Sequence, residues 1–253
     1  MVLYVVGCSV LYVIQDDIIF RPQAIPSGTQ FRFGEEVSIP VDEDVNLHAL
    51  YHKVDDAKGV VLYLHGNRGN ARRCQRQAEM FTGYGYNVLL LDYRGYGKSG
   101  GEISSIDQLY SDVQKAYDYL KRDFDESKII LAGYSLGTGM ASYLAAHNQP
   151  QRLIMIAPYV SIADLKNRIF PLIPNFLIKY PLNNNKHLEE ITCPVDLLHG
   201  TEDEVIPYNS SEVLTKAYPS KTRLITLSNT GHRRAIFHNS IRDVLNEHLL
   251  RLE

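Results

Sequence analysis

Six short apolar runs recur along the chain: VVLYL at 60–64, NVLLLD at 87–92, KIILA at 128–132, RLIMI at 152–156, VDLLH at 195–199 and RLITL at 223–227. They are continuous rather than alternating, and rich in Val, Ile and Leu, which is how strands buried on both faces read. The segments near 70–83, 106–122, 137–147, 209–217 and 237–251 are long enough for helices between or after them. Strands that alternate with helices predict an α/β domain built on a mainly parallel sheet covered on both faces. The stretches at 35–40 and 47–53 predict an antiparallel hairpin at the start of that sheet.

Two segments depart from this rhythm. Residues 161–190 lie between the RLIMI and VDLLH strands and include RIFPLIPNFLIKYPL. Pro171, Pro174 and Pro181 bar one long helix there. An insertion above a sheet predicts a short lid made of short helices packed on the domain. The other departure is the apolar start, MVLYVVGCSVLYVI. Its length falls short of the roughly twenty residues that span a bilayer, and with no Lys or Arg before Arg21 it lacks a secretory n-region. Either it is a membrane anchor whose first residues lie outside this chain, or it packs on the domain. The density of uncharged residues favours the anchor, and so a membrane-associated protein over a free cytoplasmic one. The expected organisation is an N-terminal segment at 1–22 and one domain at 23–253, with the lid at about 161–190.

Composition narrows the partners. With 253 residues, 45% hydrophobic and 22% charged, the chain has the make-up of a globular domain with a sizeable core. A net charge of −3, with no basic block or zinc-finger spacing, predicts no nucleic-acid partner. Cys8, Cys74 and Cys193 lie far apart, which is neither a disulfide framework nor a metal pattern. Val-Val-Gly-Cys around Cys8 loosely resembles a lipid-attachment box.

The chemistry starts from LAGYSLGTG at 131–139. Gly133, Tyr134, Ser135, Leu136 and Gly137 match G-x-S-x-G between a predicted strand and a predicted helix, the context of a nucleophile elbow. The glycines let strand and helix close on each other, leaving the serine exposed at the strand end. A serine needs a base and an orienting acid. TLSNTGHRR supplies His232 after the last strand, and LLHGTEDEVIP supplies Asp203 after the VDLLH strand. Glu202 and Glu204 flank Asp203 and are expected to face solvent. Asp92 belongs to a glycine-rich tight loop, and Asp164 comes too early in the chain order. His65 and His199 each precede a glycine at a strand end and are expected to brace loops; His238 and His248 fall in the last helical pattern.

Acyl transfer also needs donors for the developing oxyanion. Leu136 offers one backbone N–H, and the LHGNRGN loop after the first parallel strand places Asn67 to offer another. Arg68, Arg72 and Arg73 near the next helix, with Arg233 and Arg234 beside the base, either face an anionic substrate group or form a solvated basic face. The charge pattern alone favours the solvated face. Arg68 is the candidate head-group contact. Phe170 and Phe176, in the apolar insertion, are the candidate acyl contacts.

In order, LHGNRGN, LDYRGYGKSGG, GYSLG, HGTEDEVIP and TGH resemble the α/β-hydrolase superfamily, and most closely its Bem-forty-six-like, or abhydrolase-domain, branch of often membrane-tethered serine hydrolases. The likeness covers about residues 15–250, including QDDIIFRP at 15–22, which fits a stretch that follows the membrane segment in that branch. The resemblance implies Ser135 as nucleophile, Asp203 as acid, His232 as base, Asn67 and Leu136 as oxyanion donors, and no metal or cofactor. It implies hydrolysis of esters or thioesters, often lipid-like. Acyl transfer or peptide cleavage on the same triad, or a non-catalytic binding role, are the alternatives.

Overall fold

The computed structural model describes residues 1–249. Helices α1 (Val2–Val13) and α2 (Gln15–Ile19) precede a hairpin of β1 (Glu35–Pro40) and β2 (Asn46–His52). Then follow β3 (Gly59–Leu64), α3 (Gln75–Thr82), β4 (Tyr86–Leu91), α4 (Ile106–Leu120), β5 (Ile129–Tyr134), α5 (Gly137–His147) and β6 (Arg152–Ile156). The remainder is α6 (Ile162–Ile169), α7 (Asn184–Glu190), β7 (Val195–Gly200), α8 (Asn209–Ala217), β8 (Thr222–Leu227), α9 (His232–Ala235) and α10 (Ser240–Leu249).

The eight strands form one sheet in the order β1-β2-β4-β3-β5-β6-β7-β8. β1 and β2 pair antiparallel, as do β2 and β4. From β4 onward every pairing is parallel. Every residue of β3, β4, β6 and β7 is buried. That burial explains their unbroken apolar sequence: each strand turns one side chain to the core under α4, α5, α7 and α8, and the next to the core under α3 and α10. Leu62 and Leu64 of β3 pack on the first side, Val61 and Tyr63 on the second.

Local chemistry sets the helix starts. Ser105 accepts the Gln108 N–H at the head of α4, Ser161 that of Asp164 at α6, and Asn183 that of Lys186 at α7. The helix expected near 70–83 opens with a 3₁₀ turn at Ala71–Cys74, capped by Asn70, before α3 begins. The last helix starts at Ser240, and α9 forms separately ahead of it; its expected end at 250–251 lies outside the described residues.

Residues 161–190 fold as α6, a 3₁₀ turn at Asn175–Leu177 and α7. α6 stops before Pro171, where a proline would take away a helix hydrogen bond. α1 has no buried residue and lies against this insertion, with the Tyr4 hydroxyl donating to the Leu172 carbonyl at 2.7 Å. Among the described residues no helix is long and apolar enough to cross a membrane. The chain re-enters the core at Phe20, whose ring meets Tyr180 edge-on at 4.8 Å.

Candidate active site

β5 is a central strand, and the chain reverses sharply at its carboxyl end into α5. Ser135 carries that turn with φ of 52°, a left-handed conformation that a non-glycine residue adopts only when its surroundings enforce it. Its N–H donates to the Ile156 carbonyl at 2.9 Å, and its carbonyl accepts the Thr138 hydroxyl at 2.7 Å. The flanking glycines are steric necessities. A Cβ on Gly137 would lie 2.0 Å from the Leu64 carbonyl oxygen, and one on Gly133 would lie 2.7 Å from that of Gly137.

Two loops at the same sheet edge bring groups to Ser135. His232 opens α9 after β8, and its Nε2 stands 3.1 Å from Ser135 Oγ. Its Nδ1 is 2.7 Å from Asp203 Oδ2, in the loop after β7. With Nδ1–H donating to the carboxylate, Nε2 is left to accept from the serine hydroxyl. Asp203 is saturated with donors: Oδ1 accepts the N–H groups of Val205 and Ile206 at 2.9 and 2.8 Å, and Oδ2 also faces His199 Nε2 at 3.2 Å. Burial acts to raise this carboxyl, but hydrogen bonds from His199, His232 and Ile206 outweigh it and hold it well below the usual carboxylate range.

His199 therefore does more than brace a loop. Its side chain is fully buried, its Nδ1 is 2.7 Å from Ser211 Oγ, and its Nε2 sits between Asp203 and the Ile206 carbonyl. Glycine after a strand-end histidine marked it as structural in sequence; only the fold shows that it touches Asp203. The flanking carboxylates take other places. Glu202 and Glu204 are exposed, and Glu204 accepts the His232 backbone N–H at 3.2 Å. Asp164 pairs with Arg168 on α6. Asp92 is buried and accepts the Ala71 N–H at 2.6 Å while facing His48 Nδ1 at 2.7 Å.

The loop after β3 is held by its neighbours. Tyr93 donates to the His65 carbonyl at 2.9 Å and Tyr96 to the Asn67 carbonyl at 2.9 Å. Asn67 and Leu136 line the same cavity as Ser135 and His232. Among the described residues neither backbone N–H has a partner within the protein. The Leu136 carbonyl accepts the Tyr159 hydroxyl at 3.3 Å, which fixes the orientation of the following peptide.

The cavity has a volume of about 710 Å³. Phe170 and Arg68 line it; Phe176 does not, and is instead 83% exposed on the outer side of the insertion. Arg72 and Arg234 also lie outside the lining, whereas Arg73 and Arg233 belong to it. Two further cations line it that the sequence did not single out, Arg21 and Lys166. No Asp or Glu side chain lines it among the described residues. Cys74 is also in the lining, but burial first, with the charge of Asp92 second, pushes its thiol up to about 12, so it carries no thiolate for attack. Among the described residues no group of three or more His, Cys, Asp and Glu side chains is placed to hold a metal ion.

Comparison with known proteins places the chain. Residues 55–185 match the family described as serine aminopeptidase, S33. An uncharacterized protein of Mycobacterium tuberculosis is 29% identical over 228 residues, covering 86% of this chain and 80% of its own. The lysophosphatidylserine lipase of Rattus norvegicus is 29% identical over 188 residues, 64% of this chain and 46% of the lipase; the match spans just under half the length of that relative. Among solved structures, the Pyrococcus furiosus esterase Pf2001 superposes with a TM-score of 0.72 at 20% identity, covering 92% of this chain and 98% of the esterase. The Butyrivibrio proteoclasticus protein Est1E, solved with ferulic acid, gives 0.68 at 20% identity, with 85% and 98% covered. An eight-stranded, mostly parallel sheet with a serine at the β5 elbow, joined to a family match over more than half its length, makes this chain a member of the serine aminopeptidase S33 family within the α/β-hydrolase superfamily.

Proposed function

We propose that the protein is a serine hydrolase that cleaves carboxylic esters or thioesters of lipid-like, anionic acyl compounds through an acyl-enzyme. The observation that carries this reading is the lining of the cavity: apolar over most of its wall, with five cationic side chains and no carboxylate among the described residues. An aminopeptidase must receive a free α-ammonium group, which calls for acidic side chains. This cavity offers the opposite charge. Arg68 adjoins Asn67 and Arg233 adjoins His232 in the chain, so two of the five cations come from the loops that carry the reacting groups, while α1, α2 and α6 add apolar residues to the lining. The similarity to a lysophosphatidylserine lipase supports the same substrate class.

In this mechanism His232 Nε2 takes the proton of Ser135 Oγ as the oxygen attacks the carbonyl carbon. Asp203 holds the imidazole in the Nδ1–H form and stabilises the imidazolium. The N–H groups of Asn67 and Leu136 receive the oxyanion. Collapse expels the alcohol or thiol, which takes the proton from His232. Water then enters by the same route and gives the carboxylic acid and free Ser135. Arg68 and Arg233 hold the anionic part of the substrate, and Phe170 contacts the acyl chain. The exposed start of α1, with Val2, Leu3 and Val6, supports contact of the N-terminal end of the segment with a lipid surface.

Labelling by a fluorophosphonate, compared between the wild type and Ser135→Ala, tests the nucleophile; the label is expected on the wild type and absent from the variant. Turnover of acyl esters against aminoacyl anilides tests the class. Preference for the anilides overturns the esterase reading. For the head group, Arg68→Ala and Arg233→Ala are expected to raise KM for an anionic lysophospholipid while sparing a neutral ester. Equal losses on both substrates sink that assignment.

A further inference from the structure

One wall of the cavity comes from outside the sheet. Cys8, Leu11 and Tyr12 of α1 and Gln15, Ile18 and Ile19 of α2 line it. Their spacing of three and four residues puts them on one face of an almost continuous helix, broken only at Ile14. The opposite face, with Val10 and Val13, does not line the cavity; Val10 and Val13 are 51% and 68% exposed, against 45% and 46% for Tyr12 and Ile18 of the lining face. The inner stripe has no core beneath it, since α1 buries no residue. What it faces is the space beside Ser135.

Polar contacts hold this segment in place. The Gln15 carboxamide clamps the insertion, with Nε2 donating to the Leu177 carbonyl at 2.8 Å and Oε1 accepting the Lys179 N–H at 3.0 Å. The Lys179 ammonium pairs with Asp16 at 3.0 Å and lies 4.9 Å over the Tyr12 ring. At its other end, the Arg21 N–H reaches the Tyr96 hydroxyl at 2.9 Å and the Asn67 carbonyl at 3.2 Å. The segment thus ties the insertion to the loop that carries Asn67.

We propose that the α1–α2 segment is the acyl-chain wall of the site, and that Leu11 and Ile18, which line the cavity together with Leu165 and Ile169 of α6, set the length of chain the protein accepts. This rests on the hydrolase reading above. Each methylene that leaves water for such a wall is worth about fourfold in kcat/KM, so selectivity rises with chain length until the wall ends. The inner stripe of α1 then becomes buried only when substrate is bound.

The test compares Leu11→Trp, which fills the inner face, with Val10→Trp on the outer face of the same helix. Across esters from acetyl to hexadecanoyl, Leu11→Trp is expected to lower the dodecanoyl-to-acetyl ratio of kcat/KM at least tenfold, and Val10→Trp to leave the wild-type profile. A Leu11→Trp profile that superimposes on the wild type overturns the proposal. The chain has no tryptophan of its own, so each variant carries a single indole, which gives a readout independent of turnover. Saturable quenching by 12-bromododecanoate is expected for the indole at position 11 and none for that at position 10. Equal quenching at both positions, or none at either, counts against the wall. Quenching at position 11 in a protein that neither turns over esters nor takes the fluorophosphonate leaves the wall standing and overturns the hydrolase reading instead.

Discussion

The Asn184 carboxamide nitrogen lies 3.0 Å from Thr138 Oγ1, and so joins α7 to the turn that carries Ser135. Asn184 is fully buried; its Nδ2 also donates to the Tyr159 carbonyl at 2.8 Å, and its Oδ1 accepts the Ser142 hydroxyl at 2.7 Å. Thr138 in turn donates to the Ser135 carbonyl. A chain of hydrogen bonds therefore runs from the insertion to the peptide of Ser135. Asn184→Ala leaves several of these groups unpaired, and is expected to cost about 1–3 kcal/mol of stability and to lower kcat on the order of tenfold or more by loosening the turn. Thermal unfolding and single-turnover acylation rates check both.

Asp203→Asn keeps the shape of the acid and removes its charge. A fall in kcat on the order of 10⁴ is expected, with KM little changed. Glu202→Gln and Glu204→Gln, which alter exposed side chains, are expected to stay within a few fold. Loss concentrated in Glu204→Gln would move the acid to that residue.

Backbone strain at Ser135 predicts an opposition between stability and chemistry. Ser135→Gly and Ser135→Ala are both expected to abolish turnover, but only glycine relieves the φ of 52°. The glycine variant is expected to be more stable than the alanine variant by about 1 kcal/mol, read as a shift in urea midpoint. Gly137→Ala works the other way, since its Cβ has only 2.0 Å to the Leu64 carbonyl oxygen, and should fold poorly or not at all.

Acid should weaken the fold in two separable windows. Burial first, then His147 and Lys186, lower His187 to about 4. The unfolded chain takes up that proton near about 6.5, so stability is full above that value and falls by about 2 kcal/mol between pH 7 and 5. The Asp203 carboxyl is lowered, so its contribution is full above the ordinary carboxylate value of about 3.9 and is lost as pH drops below it. Urea midpoints measured from pH 7 to 3 are expected to lose the upper step in His187→Gln and the lower step in Asp203→Asn.

Much of this was legible in the chain because the signals are local. An unbroken run such as VVLYL must be buried on both faces, and a serine between Gly133 and Gly137 at a strand end admits few conformations. The order of Ser135, Asp203 and His232 at successive strand ends follows from a parallel sheet, which returns every such end to one edge. His199 and Asn184 were not legible in this way. The contacts of Asn184 cross 25 to 46 positions, and those of His199 depend on a side-chain direction that no spacing encodes.

The N-terminal segment shows the boundary most clearly. In sequence its hydrophobicity is uniform, and uniform hydrophobicity cannot say which face of a helix looks inward. Spacing of three and four residues links Leu11, Gln15 and Ile18, but it links Val6, Val10 and Val13 equally well. Sequence by itself determined the strands and the glycine-flanked turn at Ser135, because each is dictated by burial or backbone sterics within a few positions. Tertiary structure alone decided which helix face lines the cavity, which arginines line it and which histidine besides His232 meets Asp203, because those depend on where distant segments meet in space.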